Sequence, residues 1–184
     1  YQAKNLRTVL AALDVLAVDV AWDAIVHTAE RTGFRGRWEK ISDDPYIICD
    51  IGHNEHGLKY NFAQLAEMKA DGTCSDLVIV YGSVADKDVD SVLRLMPADA
   101  IHVFTQAHSG RALPAETVKE RYVGCCRTSG RECGEIHVVN AVPDAVSLAV
   151  RLVERIRESD PSARPLIYIG GSTYVVSEAV SYLE

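Results

Sequence analysis

The chain has 184 residues, 48% of them hydrophobic, with 19 basic against 26 acidic side chains for a net charge of −7. That length can bury a core as one domain plus appendages, and an acidic balance without any Lys or Arg block argues against a nucleic-acid or anionic-membrane surface. No apolar run approaches the about eighteen residues that a bilayer span needs, no signal-like stretch stands at Tyr1, and a first residue other than Met suggests a piece of a longer chain, while five cysteines without secreted-framework spacing lead us to expect a cytoplasmic protein.

Residues 5–18 place Leu6, Val9, Leu10, Leu13, Leu16 and Ala17 at steps of three and four, which predicts an amphipathic helix. A second short helix is expected from Val20 to Ala29. Between Arg31 and Ile41, two glycines and three arginines break the pattern. A boundary near residue 30 follows, with 1–30 belonging to something that precedes and 31–184 forming a domain of its own.

After the turn cluster Ser42-Asp43-Asp44-Pro45, strands and helices alternate. Strands are predicted at Tyr46–Asp50, Asp76–Val80, Ala100–Phe104, Glu135–Val139 and Leu166–Ile169. Helices are predicted at His56–Lys69, Val89–Met96, Pro114–Arg127, Pro143–Arg157 and Thr173–Leu183. This alternation implies right-handed crossovers and a mostly parallel sheet of about six strands with helices on both faces, an α/β Rossmann-like three-layer sandwich. The extended Trp38 segment supplies one edge strand, for which an antiparallel direction is open.

Loops 51–55, 81–88, 105–113, 140–142 and 170–172 then share the carboxyl rim of the sheet, where open α/β folds bind ligands. Asp50, His53 and Asn54 emerge there together. Asp50 can cap the turn and Asn54 the following helix, and Asp50, His53 and His56 could alternatively ligate a metal. Gly82–Asp88 reads as a flexible loop with one lysine between two aspartates, and Gly170-Gly171-Ser172 would present backbone N–H groups to an anion.

Five cysteines without framework spacing read as reduced thiols, and Cys125, Cys126 and Cys133 have no histidine at zinc-site spacing. Neither a phosphate loop nor a G-x-G-x-x-G after the first strand occurs. Any nucleotide met here must have most of its triphosphate held by another domain.

In register along the chain stand Gly36-Arg37-Trp38-Glu39, Asp50-Ile51-Gly52-His53-Asn54, Tyr81-Gly82-Ser83-Val84-Ala85-Asp86-Lys87-Asp88, Arg111-Ala112-Leu113 and Gly170-Gly171-Ser172. Together they resemble the carboxy-terminal domain of folylpolyglutamate synthase/dihydrofolate synthase, a member of the muramyl ligase superfamily. Tyr1-Gln2-Ala3-Lys4-Asn5 and the Leu-rich helix resemble the end of that family's central ATPase domain. Ile51-Gly52 stands where the family usually has Gly-Ala, and Glu55 where Pro is usual.

The resemblance implies an ATP-dependent amide ligase that adds L-glutamate to a folate or dihydropteroate through an acyl phosphate. It implies ATP as cofactor, with the Mg2+ ligands in the missing central domain, which is also the expected partner. Asn5 matches the asparagine beside the adenine, Arg37 the arginine that reaches the nucleotide and Asp50 the acid at the ribose. His53 matches the histidine near the reaction centre, and Lys87 and Ser172 lie where related ligases hold the amino-acid carboxylate. This stretch alone is then expected to be inactive. Competing expectations are a free-standing module that binds a small anion and a metal hydrolase using Asp50, His53 and His56.

Overall fold

A computed structural model describes residues 2–184, so Tyr1 lies outside the described residues. Two compact units result, one ending at Arg35 and one spanning Gly36–Glu184. In the first, α1 (Gln2–Val15) is followed by two short helices, α2 (Trp22–Val26) and α3 (Thr28–Thr32). The single helix expected from Val20 to Ala29 is parted at His27. Beside it the Thr28 hydroxyl bonds back to the carbonyls of Ala24 and Ile25, local bonding of the kind that bends a helix.

In the second unit, six strands form one sheet in the order β1-β2-β6-β3-β4-β5. These are β1 (Glu39–Asp43), β2 (Tyr46–Asp50), β3 (Leu77–Tyr81), β4 (Ile101–Gln106), β5 (Ile136–Ala141) and β6 (Leu166–Gly170). All neighbours pair in parallel except β1 and β2, which are antiparallel. The α/β three-layer expectation holds, and the edge strand runs antiparallel.

Helices cover both faces, so the central strands bury both rows of side chains and read as continuous apolar runs. Ile48, Leu77, Ile79, Leu166 and Tyr168 face a core shared with α4 (Glu55–Ala70), α5 (Val89–Leu93) and α6 (Ala115–Ser129). Ile47, Cys49, Val78, Val80, Ile167 and Ile169 face the other core, shared with α7 (Val142–Ser159) and α8 (Thr173–Leu183). No described helix is long and apolar enough to cross a membrane.

Because β1 pairs Glu39 with Cys49, the residues just before β1 stand beside the carboxyl end of β2. Antiparallel entry therefore brings Arg37 and Trp38 to the rim where the parallel strands end.

Candidate functional site

Asp50, the last residue of β2, is fully buried. One carboxylate oxygen accepts from Gly52 N at 2.7 Å and from Asn61 Nδ2 at 2.8 Å. The other accepts from Trp38 N at 2.8 Å. These bonds fold the Gly36–Trp38 turn and the turn after β2 around one charge, and Ile51 N donates to Gly36 O at 2.8 Å beside it. Arg37 sits exposed on the first turn and His53 exposed on the second. Asp50 thus caps its turn from below, and Asn54 caps α4 by accepting from Gly57 N at 2.8 Å.

The loop after β3 departs from the flexible turn expected of Gly82–Asp88. Gly82, Ser83 and Val84 are buried. Val84 bridges Ala112, Ala85 N donates to Arg111 O at 2.9 Å, and Leu113 N donates to Ser83 O at 2.9 Å. The Arg111 guanidinium closes the same junction on Asp86 at 2.6 Å, holding that carboxyl below its ordinary range. Backbone pairing to the distant segment 111–113 orders what local composition reads as a solvated turn.

Between these loops lies a cleft of about 370 Å³ lined by His53, Val84, Lys87, Arg111, Ser172, Thr173 and Tyr174. A neighbouring hollow of about 320 Å³ shares His53 and Lys87 and adds Asn54, His56 and Asp88. The expected residues His53, Lys87 and Ser172 are therefore brought together. Arg111 and Asp86 are paired, whereas no ion pair to Lys87 occurs among the described residues, so Lys87 is the cation left to receive an anion. Ser172 Oγ accepts from Tyr174 N at 3.2 Å as the cap of α8 and keeps its own proton to donate.

His53 Nδ1 lies 3.1 Å from Ile51 O. With the proton on Nδ1, that bond leaves Nε2 as a lone pair that can take a proton. Beyond it, Gly171 adopts φ 95°, and a Cβ there would come within 2.6 Å of Gly82 O and strike the Tyr81 ring. Glycine is what lets the loop after β6 approach the loop after β3 so closely.

Asn5 lies exposed on α1, in the other unit. Among the described residues no group of three or more His, Cys, Asp or Glu could hold a metal. Asp50 is committed to its turn, and the His56 ring packs edge-on to Tyr60 at 5.3 Å, so the metal option for Asp50, His53 and His56 has no geometry behind it. A larger cleft of about 480 Å³ between α5 and α6 holds Asp90, Arg94, Arg121 and Cys125 but lies on the helical face, off the rim loops. Arg111 is the cleft residue whose role sequence reasoning missed. A cation between Gly110 and Ala112, in the loop after the next strand, was the available signal.

The family match begins where the second unit begins. Residues 36–159 match the family model described as Mur ligase, glutamate ligase domain. A dihydrofolate synthase/folylpolyglutamate synthase of Haemophilus influenzae is 26% identical over 98% of this chain, which spans 42% of that protein. A Haloferax volcanii relative is 26% identical over 97% of the chain, and the chain spans 19% of its length. The Mycobacterium tuberculosis folylpolyglutamate synthase complexed with ADP superposes with a TM-score of 0.68 at 27% identity, over 93% of this chain and 37% of that one.

Proposed function

The chain belongs to the Mur ligase glutamate-ligase domain family, and from that premise we propose that it is the carboxy-terminal part of a cytoplasmic ATP-dependent ligase joining L-glutamate to a folate or dihydropteroate. Five free thiols suit a reducing compartment. The helices before Arg35 are read as the end of a preceding ATPase domain. The observation that carries the reading is the meeting of His53, Lys87 and Ser172 in one rim cleft.

A carboxylate lacks an adequate leaving group. Phosphorylation by ATP supplies one, and the glutamate amine then displaces phosphate from the acyl phosphate to form the amide. In this assignment the Lys87 ammonium and the Ser172 hydroxyl hold a carboxylate of the incoming glutamate, with Arg111 flanking them. His53 Nε2 accepts the proton that the attacking amine must shed. Arg37, a fixed planar cation, reaches the nucleotide, and Asn5 is assigned to its adenine. Asp50, without exposed surface, is assigned to hold the Arg37 and His53 turns from beneath; the ribose contact expected of it would require uncovering its carboxylate. An acyl phosphate survives only where water is excluded, so reaction awaits closure against the preceding domain.

Among the described residues no group of three or more His, Cys, Asp or Glu could hold a metal ion, and no step here runs through magnesium. Its ligands and the phosphate loop belong to the remainder of the enzyme, so the isolated chain is expected to neither hydrolyse ATP nor ligate glutamate. The test is Lys87→Ala in the full-length enzyme. A rise of about tenfold in KM for L-glutamate, with kcat changed less, is expected for loss of one charge-assisted contact. An unchanged KM would remove the glutamate subsite from this cleft.

A further inference from the structure

We infer that Asn61 is a positioning residue: its buried side-chain amide ties the Asp50 carboxylate to the Tyr168 hydroxyl and so fixes together the three turns that carry Arg37, His53 and Ser172. The kinetic consequence rests on the proposed nucleotide role of Arg37. The tie itself does not.

Asn61 lies on the core face of α4, fully buried, beside Leu58, Phe62 and Leu65. An amide in such a place is costly unless its hydrogen bonds are made. Leucine, larger but branched at the same carbon, would suit the surrounding apolar face of Leu58, Phe62 and Leu65, so burial alone does not explain an amide there. Bonding does. Nδ2 stands 2.8 Å from Asp50 Oδ1 and 2.9 Å from the Tyr168 hydroxyl, one hydrogen for each. Asn61 Oδ1 has no hydrogen-bond partner among the described residues, so the donor half of the amide is the half in use.

From Asp50 the connection passes to Trp38, whose nitrogen donates to the second carboxylate oxygen. Trp38 has φ 50°, a left-handed conformation that a bulky residue keeps only when surrounding contacts hold it. Its ring lies 6.2 Å from that of Tyr168, and Phe62 packs on Tyr168 at 6.1 Å. The Arg37-Trp38 turn is thus pinned by a bond and a ring that both lead back to Asn61.

Two glycines clear the space. A Cβ on Gly52 would lie 2.7 Å from Asp50 Oδ1 and 3.2 Å from Asn61 Nδ2, and one on Gly170 would lie 2.7 Å from the Tyr168 hydroxyl. Gly52 opens the turn to His53, and Gly170 opens the loop to Ser172. Both turns are bare of side chains where the network needs room. One amide therefore bridges the ends of β2 and β6.

Asn61→Leu tests this in the 184-residue chain carrying Trp22→Phe, where Trp38 is the remaining one of its two tryptophans. Trp22 is exposed, so its replacement is benign. The expected result is a red shift of Trp38 emission with readier acrylamide quenching. In the full-length ligase, KM for nucleotide should rise about tenfold while kcat stays within about twofold, the scale of lost hydrogen bonds to a buried charge. A folded variant with wild-type Trp38 emission and wild-type KM, whatever its unfolding midpoint, overturns the inference. Should Asn61→Leu not fold, Tyr168→Phe keeps the ring and removes one acceptor, and wild-type Trp38 emission in that variant overturns it equally. An Arg37→Ala enzyme with normal KM for nucleotide would defeat the nucleotide reading, and Trp38 emission would then decide the Asn61 tie by itself.

Discussion

The carboxylate of Asp50 holds the backbone nitrogen of Trp38, twelve positions earlier, at 2.8 Å, and with it a turn whose backbone is left-handed. Asp50→Ala leaves the donors of Trp38, Gly52 and Asn61 without their acceptor in a buried place. At about 1–3 kcal/mol for each unmet buried donor, urea unfolding should show a loss of at least about 3 kcal/mol. Asp50→Asn, which keeps an acceptor oxygen, should lose less. Wild-type stability in Asp50→Ala would mean that the turn stands without the charge.

Removing the charge of Arg111 should separate recognition from folding. The guanidinium and Asp86 meet in solvent, where ion pairs add little to stability, and backbone bonds already lace the two loops. Arg111→Ala is expected to leave the thermal midpoint close to wild type while raising KM for L-glutamate in the full-length enzyme. The residual binding should weaken further with salt, because the cleft then depends on Lys87 alone. An unchanged KM would confine Arg111 to bracing the loops.

His102 gives the core a pH dependence. The ring is fully buried between Pro97 O and the Tyr122 hydroxyl, each 2.9 Å from Nε2, and burial pulls it down from an ordinary 6.5 to about 4. Between those values the unfolded chain takes up a proton that the native state refuses. Stability should therefore be full above about 6.5, fall as pH drops toward about 4 and level below that, a loss of roughly 3 kcal/mol from this group. Urea midpoints for the wild type and His102→Gln at the two ends of the interval check it. The variant should show the shallower slope.

Gly171 and Gly33 make a matched pair. Both have positive φ, 95° and 65°, but a Cβ at Gly171 meets the Tyr81 ring and Gly82 O, whereas one at Gly33 meets nothing within 4 Å. Gly33→Ala should cost about 1 kcal/mol, the left-handed penalty alone. Gly171→Ala should cost clearly more, about 3 kcal/mol or above, since backbone strain and a clash with buried neighbours add. Chemical denaturation of the two variants side by side provides the comparison.

What could be read from the residues alone follows from which interactions are local. The boundaries Tyr46–Asp50 and Thr173–Leu183 agree with the structure residue for residue, because two-sided burial makes strands such as Tyr46–Asp50 and Leu77–Tyr81 continuous apolar runs and the Ser172 cap marks a helix start. Convergence of His53, Lys87 and Ser172 was legible too, since alternating strands and helices put every second loop at one rim. Long-range partners were not. Nothing near Asp50 in the chain says that Trp38 N and Asn61 will cover it, and nothing within 82–88 says that 111–113 will pair with it. The break at His27 leaves no mark in the helical period on either side of it.

The strand order has a consequence for synthesis. β6 is the last described strand to leave the ribosome, yet it lies between β2 and β3. Until it arrives, both of those apolar strands present bare edges, the kind that recruit other chains. A nascent polypeptide halted before Leu166 would hold a sheet in two pieces, and the cell would meet it as a client for chaperones.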